Sequence, residues 1–248
     1  MLSRFLTKPP LWIDYALTLP VFLAYHVGVV FLGGIRNATD LVTPWFLSLT
    51  SSSLLLYFGL VLFSFLAFTL GFAVAAKSEK SLVLDRGKYL QVVVEGAVYA
   101  LLLRTIASLF VRTLFGAGIL KPSSGIFADI ILSLGAGFYE EVAFRVVLFG
   151  LGAKFLLSRM ARGKTRTKDN TVRFAWSRLF VAFAWAVVVS LVFSAIHYVG
   201  PYGDKFELTS FTFRFVLGLL LTQVYAARGF GVVVWTHALY DLFIVFHL

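Results

Sequence analysis

Apolar and polar positions in this chain segregate into long blocks instead of alternating with a short period. Seven apolar blocks fall near residues 11–33, 53–76, 89–115, 126–157, 179–199, 209–227 and 229–247. Each approaches the roughly 20 residues that a helix needs to cross the hydrocarbon core of a bilayer. Lipid offers no partners to backbone N–H and C=O groups, so segments of this kind satisfy themselves as helices. The pattern predicts an all-α, polytopic transmembrane helical bundle of about seven spans. Pro20 interrupts the first block, the fourth is long enough to tilt or to extend past the bilayer, and only Arg228-Gly229 separates the last two. No internal repeat, low-complexity tract or second soluble domain intervenes. Residues 1–248 are therefore expected to form a single integral membrane domain.

The polar segments between the blocks orient the bundle. Arg4 and Lys8 precede the first block; Lys77, Lys80, Arg86 and Lys88 follow the second. Arg159, Arg162, Lys164, Arg166, Lys168, Arg173 and Arg178 follow the fourth, and Arg228 follows the sixth. Lys and Arg are retained on the cytoplasmic side during insertion, so these segments are predicted to be cytoplasmic, and those near 34–44, 116–125 and 200–208 to face outward. This topology leaves the C-terminus outside, puts Glu140 near mid-depth and His197 toward the outward end of its span, and suggests a site opening to the extracytoplasmic leaflet. The 158–178 stretch is read first as a topology determinant and second as a surface for anionic lipid. The first apolar block follows basic residues but lacks a small-residue cleavage site and carries Asp14 and His26, so it reads as a retained helix. No organellar transit pattern is visible, which favours a prokaryotic cytoplasmic (inner) membrane.

Composition agrees with the block pattern. Hydrophobic residues make up 60% and charged residues 14% of the chain, against about a quarter charged in soluble domains. The net charge of +10 does not point to nucleic acid, because the basic residues are confined to the short polar segments. Membrane lipids are the expected surroundings. Cysteine is absent, which excludes disulfides, thiolate nucleophiles and Cys-based metal sites.

Three apolar blocks carry ionisable residues at helical spacing, and such groups inside a membrane are costly and usually functional. The fourth block holds Glu140, Glu141 and Arg145, the fifth ends Phe193-Ser194-Ala195-Ile196-His197, and the seventh holds His237-Ala238-Leu239-Tyr240-Asp241. Residues four apart share a helix face, so spacing pairs Glu141 with Arg145 and sets His237 beside Asp241. Glu140 then points about 100° away from Glu141. A desolvated carboxylate at 140, with His197 nearby, has the makings of a general base for hydrolysis. His237 and residue 241 are placed to hydrogen-bond an oxygen that becomes negative when a carbonyl is attacked.

The ordered set EExxxR, FxxxH and HxxxD, over roughly residues 126–245, resembles the CPBP family of CAAX prenyl proteases and bacteriocin-processing (Abi) proteins, which includes the Ras-converting CAAX endopeptidases. The resemblance implies a CPBP-like core at 126–245 and an intramembrane, metal-independent glutamic endopeptidase without cofactors, acting on a membrane-associated protein or peptide. It implies Glu140 as activator of water, His197 as its assistant, and His237 with Asp241 at the oxyanion, supported by Glu141, Arg145 and Phe193. The prenyl-protease branch has Asn where this chain has Asp241. A carboxylate repels an oxyanion unless it carries a proton, so Asp241 either is neutral or orients His237.

Rival chemistries fit less well. No HExxH helix for zinc occurs, although Glu140, His197 and His237 make a conceivable two-His, one-carboxylate site. Pro122-Ser123-Ser124-Gly125 lacks the first glycine of a rhomboid-type GxSG loop and reads as a turn, and Tyr240-Asp241 has no GxGD partner. A non-catalytic binding or immunity factor and a proton-coupled transporter are the alternatives from other classes. Asp14 and His26 read as structural residues near the membrane interface, Glu95 and Arg104 as groups paired with neighbouring helices, and Arg112, Lys154 and Arg214 as snorkelling cations.

Overall fold

The computed structural model describes residues 11–75, 86–116, 125–161, 168–200 and 203–246. Several expectations lie outside these residues: the topology markers Arg4, Lys8, Lys77, Lys80, Arg162, Lys164 and Arg166, and the Pro122-Ser123-Ser124 turn. The regular structure of the described residues is helical, without strands. In order they form α1 (Leu11–Ala16), α2 (Leu19–Val29), α3 (Val42–Leu49), α4 (Leu54–Ala75), α5 (Arg86–Phe115), α6 (Ile126–Gly135), a π-helical segment (Ala136–Leu151), α7 (Gly152–Ala161), α8 (Lys168–Ile196), α9 (Leu208–Arg228) and α10 (Phe230–Val245).

The protein is a polytopic helical membrane protein. Among the described residues four helices, α4, α5, α8 and α9, are long and apolar enough to cross a membrane, and they correspond to the second, third, fifth and sixth apolar blocks. The other three blocks depart from single full-length spans. The first breaks into α1 and α2, because Pro20 lacks an N–H to continue the helix and Thr18 turns its hydroxyl back to Tyr15 O at 2.6 Å. The last is only 16 residues long, about 24 Å, short of a hydrocarbon core of about 30 Å. The overlong fourth block is divided by the π-helical segment, whose wider i→i+5 turns alter the side-chain directions that ordinary α spacing predicts.

The described residues group into two compact units, one drawn from Met1–Arg104, Leu120–Glu141 and Val224–Leu248, the other from Thr105–Ile119 and Val142–Gln223. In the first unit α6 packs against both α2 and α10, while α1 lies against α4 and α10. Gly137 permits the close approach of the π-helical segment to α10, since a Cβ there would meet Ala238 Cβ at 2.7 Å and Ala238 N at 2.8 Å. The start of α10 is fixed from the other end of the chain. Asp14 accepts the backbone N–H of Phe230 and, at 2.6 Å, that of Gly231, two of the donors that a helix N-terminus leaves without intrahelical partners. Gly229, at φ +98°, makes room for this carboxylate.

Asp14 and His26 thus depart from the interfacial placement expected of them, being 2% and 0% exposed. Their role is structural all the same. Asp14→Ala is expected to cost about 1–3 kcal/mol, since it orphans buried N–H donors. Thermal unfolding of the purified variant in detergent would show this as a lowered midpoint, and an unchanged midpoint would mean that the cap contributes nothing. Arg228 also differs from its reading as a loop charge: it is buried at the end of α9 and forks onto both oxygens of Glu95, with Nη2 to Oε2 at 2.9 Å. Arg104 donates to Phe243 O at 3.3 Å.

The second unit pairs α7 with α8. Trp185 Nε1 donates to Leu148 O at 2.9 Å, and Ser194 Oγ donates to Phe211 O at 2.7 Å. Arg214, read as snorkelling, pairs with Asp204 at 2.5 Å and lies 5.2 Å from the centre of the Tyr198 ring.

Candidate active site

In the first unit the π-helical segment supplies Glu140 and Glu141, α10 supplies His237 and Asp241, and the segment between α2 and α3 supplies Asn37. Glu141 is fully buried, and His237 and Glu140 nearly so. His237 Nδ1 lies 2.6 Å from Glu141 Oε1. A carboxylate there accepts, so Nδ1 is the donor and the ring's orientation is set. The other nitrogen, Nε2, faces two more carboxylates: Glu140 Oε2 at 4.0 Å and Asp241 Oδ2 at 3.8 Å. One imidazole is therefore flanked by three acidic side chains.

Glu140 is held from the opposite side. Asn37 Nδ2 donates to its Oε1 at 2.7 Å. The residue before it, Tyr139, is pinned through its hydroxyl to His26 Nε2 at 2.6 Å, and His26 Nδ1 lies 2.5 Å from Tyr57 Oη. This chain of buried contacts ties the backbone beside Glu140 to α2 and α4. It consists of neutral hydroxyl and imidazole groups, each satisfied by the next.

Spacing alone assigned Glu141 to Arg145 and His237 to Asp241. The structure adds the bond of Glu141 to His237, across 96 residues, which no local pattern carries. Asn37 was missed as well: the 34–44 segment read only as an outward loop, although its Asn37-Ala38-Thr39-Asp40 run is a turn-forming polar cluster between apolar blocks.

The second unit brings together the remaining motif residues, Arg145, Phe193 and His197. Phe193 is buried with Phe144 and Val189, its ring edge-on to Phe144 at 5.1 Å and to His197 at 5.2 Å. The Arg145 guanidinium sits 4.4 Å from the centre of the Phe193 ring and donates to Gly218 O at 3.4 Å. His197 follows the last turn of α8, and its Nδ1 donates to Phe193 O at 2.8 Å. Among the described residues no three His, Asp or Glu side chains are arranged as ligands of one metal ion.

Residues 122–243 match the family model described as type II CAAX prenyl endopeptidase Rce1-like. This stretch belongs to the Rce1-like family. No curated protein and no solved structure matches the chain. Every residue of the EExxxR, FxxxH and HxxxD motifs falls inside the Rce1-like stretch, whereas Asp14, His26 and Asn37 fall outside it. The Rce1-like family is one of CAAX-type intramembrane endopeptidases, so membership implies a protease, a hydrolase working in a lipid environment on a protein or peptide. With the four apolar helices, it makes this chain an integral membrane protein.

Proposed function

We propose that this Rce1-like chain is a glutamate-dependent intramembrane endopeptidase in which Glu140 activates the attacking water. A water at Glu140 Oε2 gives that oxygen a proton as its own oxygen adds to the carbonyl carbon of the scissile peptide bond. The carbonyl π pair moves onto oxygen as an oxyanion. When the tetrahedral species collapses, the C–N bond breaks and Glu140 returns its proton to the departing nitrogen. The carboxylate is regenerated, and the products are a new carboxyl terminus and a new amine.

His237 is proposed to meet the oxyanion through Nε2. With Nδ1–H given to Glu141, an Nε2–H exists only on the doubly protonated ring, and Glu141 at 2.6 Å is then its counter-charge. Asp241, whose Oδ2 is 3.8 Å from Nε2, steadies the ring from its other side. This assigns Asp241 to orientation of His237, which suits a carboxylate better than direct contact with an oxyanion. His197 is implied as the assistant of Glu140 by the resemblance of the FxxxH motif. Its orientation is supported by the bond to Phe193 O, and Phe193 and Arg145 serve as its packing support.

The observation that carries this reading is the convergence of Glu140 Oε2 and Asp241 Oδ2 on one nitrogen of an imidazole whose other nitrogen is fixed by Glu141. The substrate is proposed to be a short membrane-associated segment, prenylated or simply apolar, cleaved in a prokaryotic cytoplasmic membrane. No metal takes part in the proposed steps. Cleavage of membrane-tethered reporter peptides by the purified chain in nanodiscs is therefore expected to be unchanged by 1,10-phenanthroline or EDTA. Loss of cleavage with chelator, restored by added zinc, would replace this mechanism with a metal-assisted one.

A further inference from the structure

The two oxygens of Glu140 are not equivalent. Oε2 faces His237 Nε2, and Oε1 accepts the side-chain N–H of Asn37 at 2.7 Å. The direction of that amide is settled by its other end. Asn37 Oδ1 lies 2.9 Å from Thr39 N and 2.5 Å from Thr39 Oγ1. A backbone N–H can only donate, so the atom facing it must be the carbonyl oxygen, and the NH2 group is the one that points at Glu140.

The segment bearing Asn37 is itself tied down on both sides. Asn37 N donates to Tyr25 Oη at 3.4 Å, and Tyr25 Oη donates to Asp40 Oδ2 at 2.7 Å. The other oxygen of Asp40 accepts Val42 N at 3.0 Å and Thr43 N at 2.9 Å, closing the first turn of α3. Tyr25 and Asp40 are both buried. An Asn that served only to make a turn would need its Oδ1 and nothing more. Here the second half of the amide reaches 103 residues along the chain to a nearly buried carboxylate.

We propose that Asn37, outside the Rce1-like stretch, is a positioning residue for Glu140. Its N–H bonds Oε1 and holds the carboxylate plane, turning Oε2 toward His237 as the oxygen that takes the proton of the attacking water. This rests on the reading of Glu140 as the general base. A catalytic base misplaced by about 1 Å can lose about 100-fold in rate, which sets the scale of the effect.

The decisive variant is Asn37→Asp. Aspartate keeps an oxygen for Thr39 N and so preserves the turn, but it turns a second carboxylate toward Glu140 in place of the amide N–H. In full-length protein in nanodiscs, with a cleavable membrane-tethered peptide, Asn37→Asp is expected to lower kcat by about tenfold to 100-fold. KM and the thermal midpoint should stay near wild type, and Asn37→Ala should show a smaller fall in kcat. A purely turn-forming Asn predicts the opposite order, with Asp near wild type and Ala impaired through stability; that order overturns the proposal. Should Asn37→Asp lower the thermal midpoint, Thr39→Val decides, because it loosens the amide without touching Glu140. A fall in kcat at constant KM supports the proposal, and wild-type kcat overturns it. Glu140→Gln in the same assay separates the two levels: activity surviving there removes the base itself, whereas loss there with wild-type Asn37→Asp removes only the role of Asn37.

Discussion

Glu140→Gln is expected to reduce kcat by at least about 1,000-fold while the protein remains folded. Glutamine has the volume of glutamate and keeps an oxygen to accept the Asn37 N–H, so the nearly buried site loses neither packing nor that bond. What it loses is a lone pair basic enough to take a proton from water and an acid to return that proton to the leaving nitrogen. General acid–base catalysis by one group contributes about 100-fold to 10,000-fold, and Glu140 is asked to act in both directions. The effect should appear in kcat with KM nearly unchanged, because the group acts in the transition state and not in ground-state binding. Steady-state cleavage of a reporter peptide, with circular dichroism and thermal unfolding as the check on folding, measures it. A folded Glu140→Gln protein that retains a tenth or more of wild-type turnover would assign the chemistry to another residue.

Glu141→Gln should be the second large effect, about 100-fold or more in kcat. Glu141 is fully buried and accepts only, which fixes the proton on His237 Nδ1. A glutamine carries no charge to hold the ring doubly protonated at Nδ1, so the Nε2–H that meets the oxyanion is kept only on a neutral ring. The site then keeps its packing but meets the oxyanion with a neutral donor in place of a charged one. Substrate binding should be spared, because Glu141 touches only other protein groups in this account. If Glu141→Gln turned over substrate at the wild-type rate, the 2.6 Å bond would be structural and His237 would not need to be doubly protonated.

The parts of the protein legible in the sequence are those that depend on neighbours along the chain. Helices α4, α5 and α9 coincide with apolar blocks, α8 begins at Lys168 ahead of its block, and Pro20 marks the break between α1 and α2. The Rce1-like relationship was legible in three ordered motifs, each written within five or six consecutive residues. Contacts between distant segments left no such trace. Asp14 caps α10 across 216 residues, and Arg228 meets Glu95 across 133. In both cases a charged residue at the edge of an apolar block reads naturally as interfacial, because hydropathy records the cost of burying a charge but not the partner that offsets it. The fourth block misled in a different way. An α-helical period was assumed for Glu140, Glu141 and Arg145, whereas the i→i+5 turns of Ala136–Leu151 change the angular step between neighbours. Asn37 was invisible because its importance lies in what it touches and not in its surroundings in the sequence.

The most direct measurement is mass analysis of a membrane-tethered reporter peptide after incubation in 18O-labelled water with the purified chain in nanodiscs, alongside Glu140→Gln. The wild type is expected to give two fragments, with one 18O atom in the newly formed carboxyl terminus, and Glu140→Gln to leave the peptide intact. Equal cleavage by both proteins, or an intact peptide with the wild type across a broad panel of substrates, would contradict a glutamate-activated water as the function of this site.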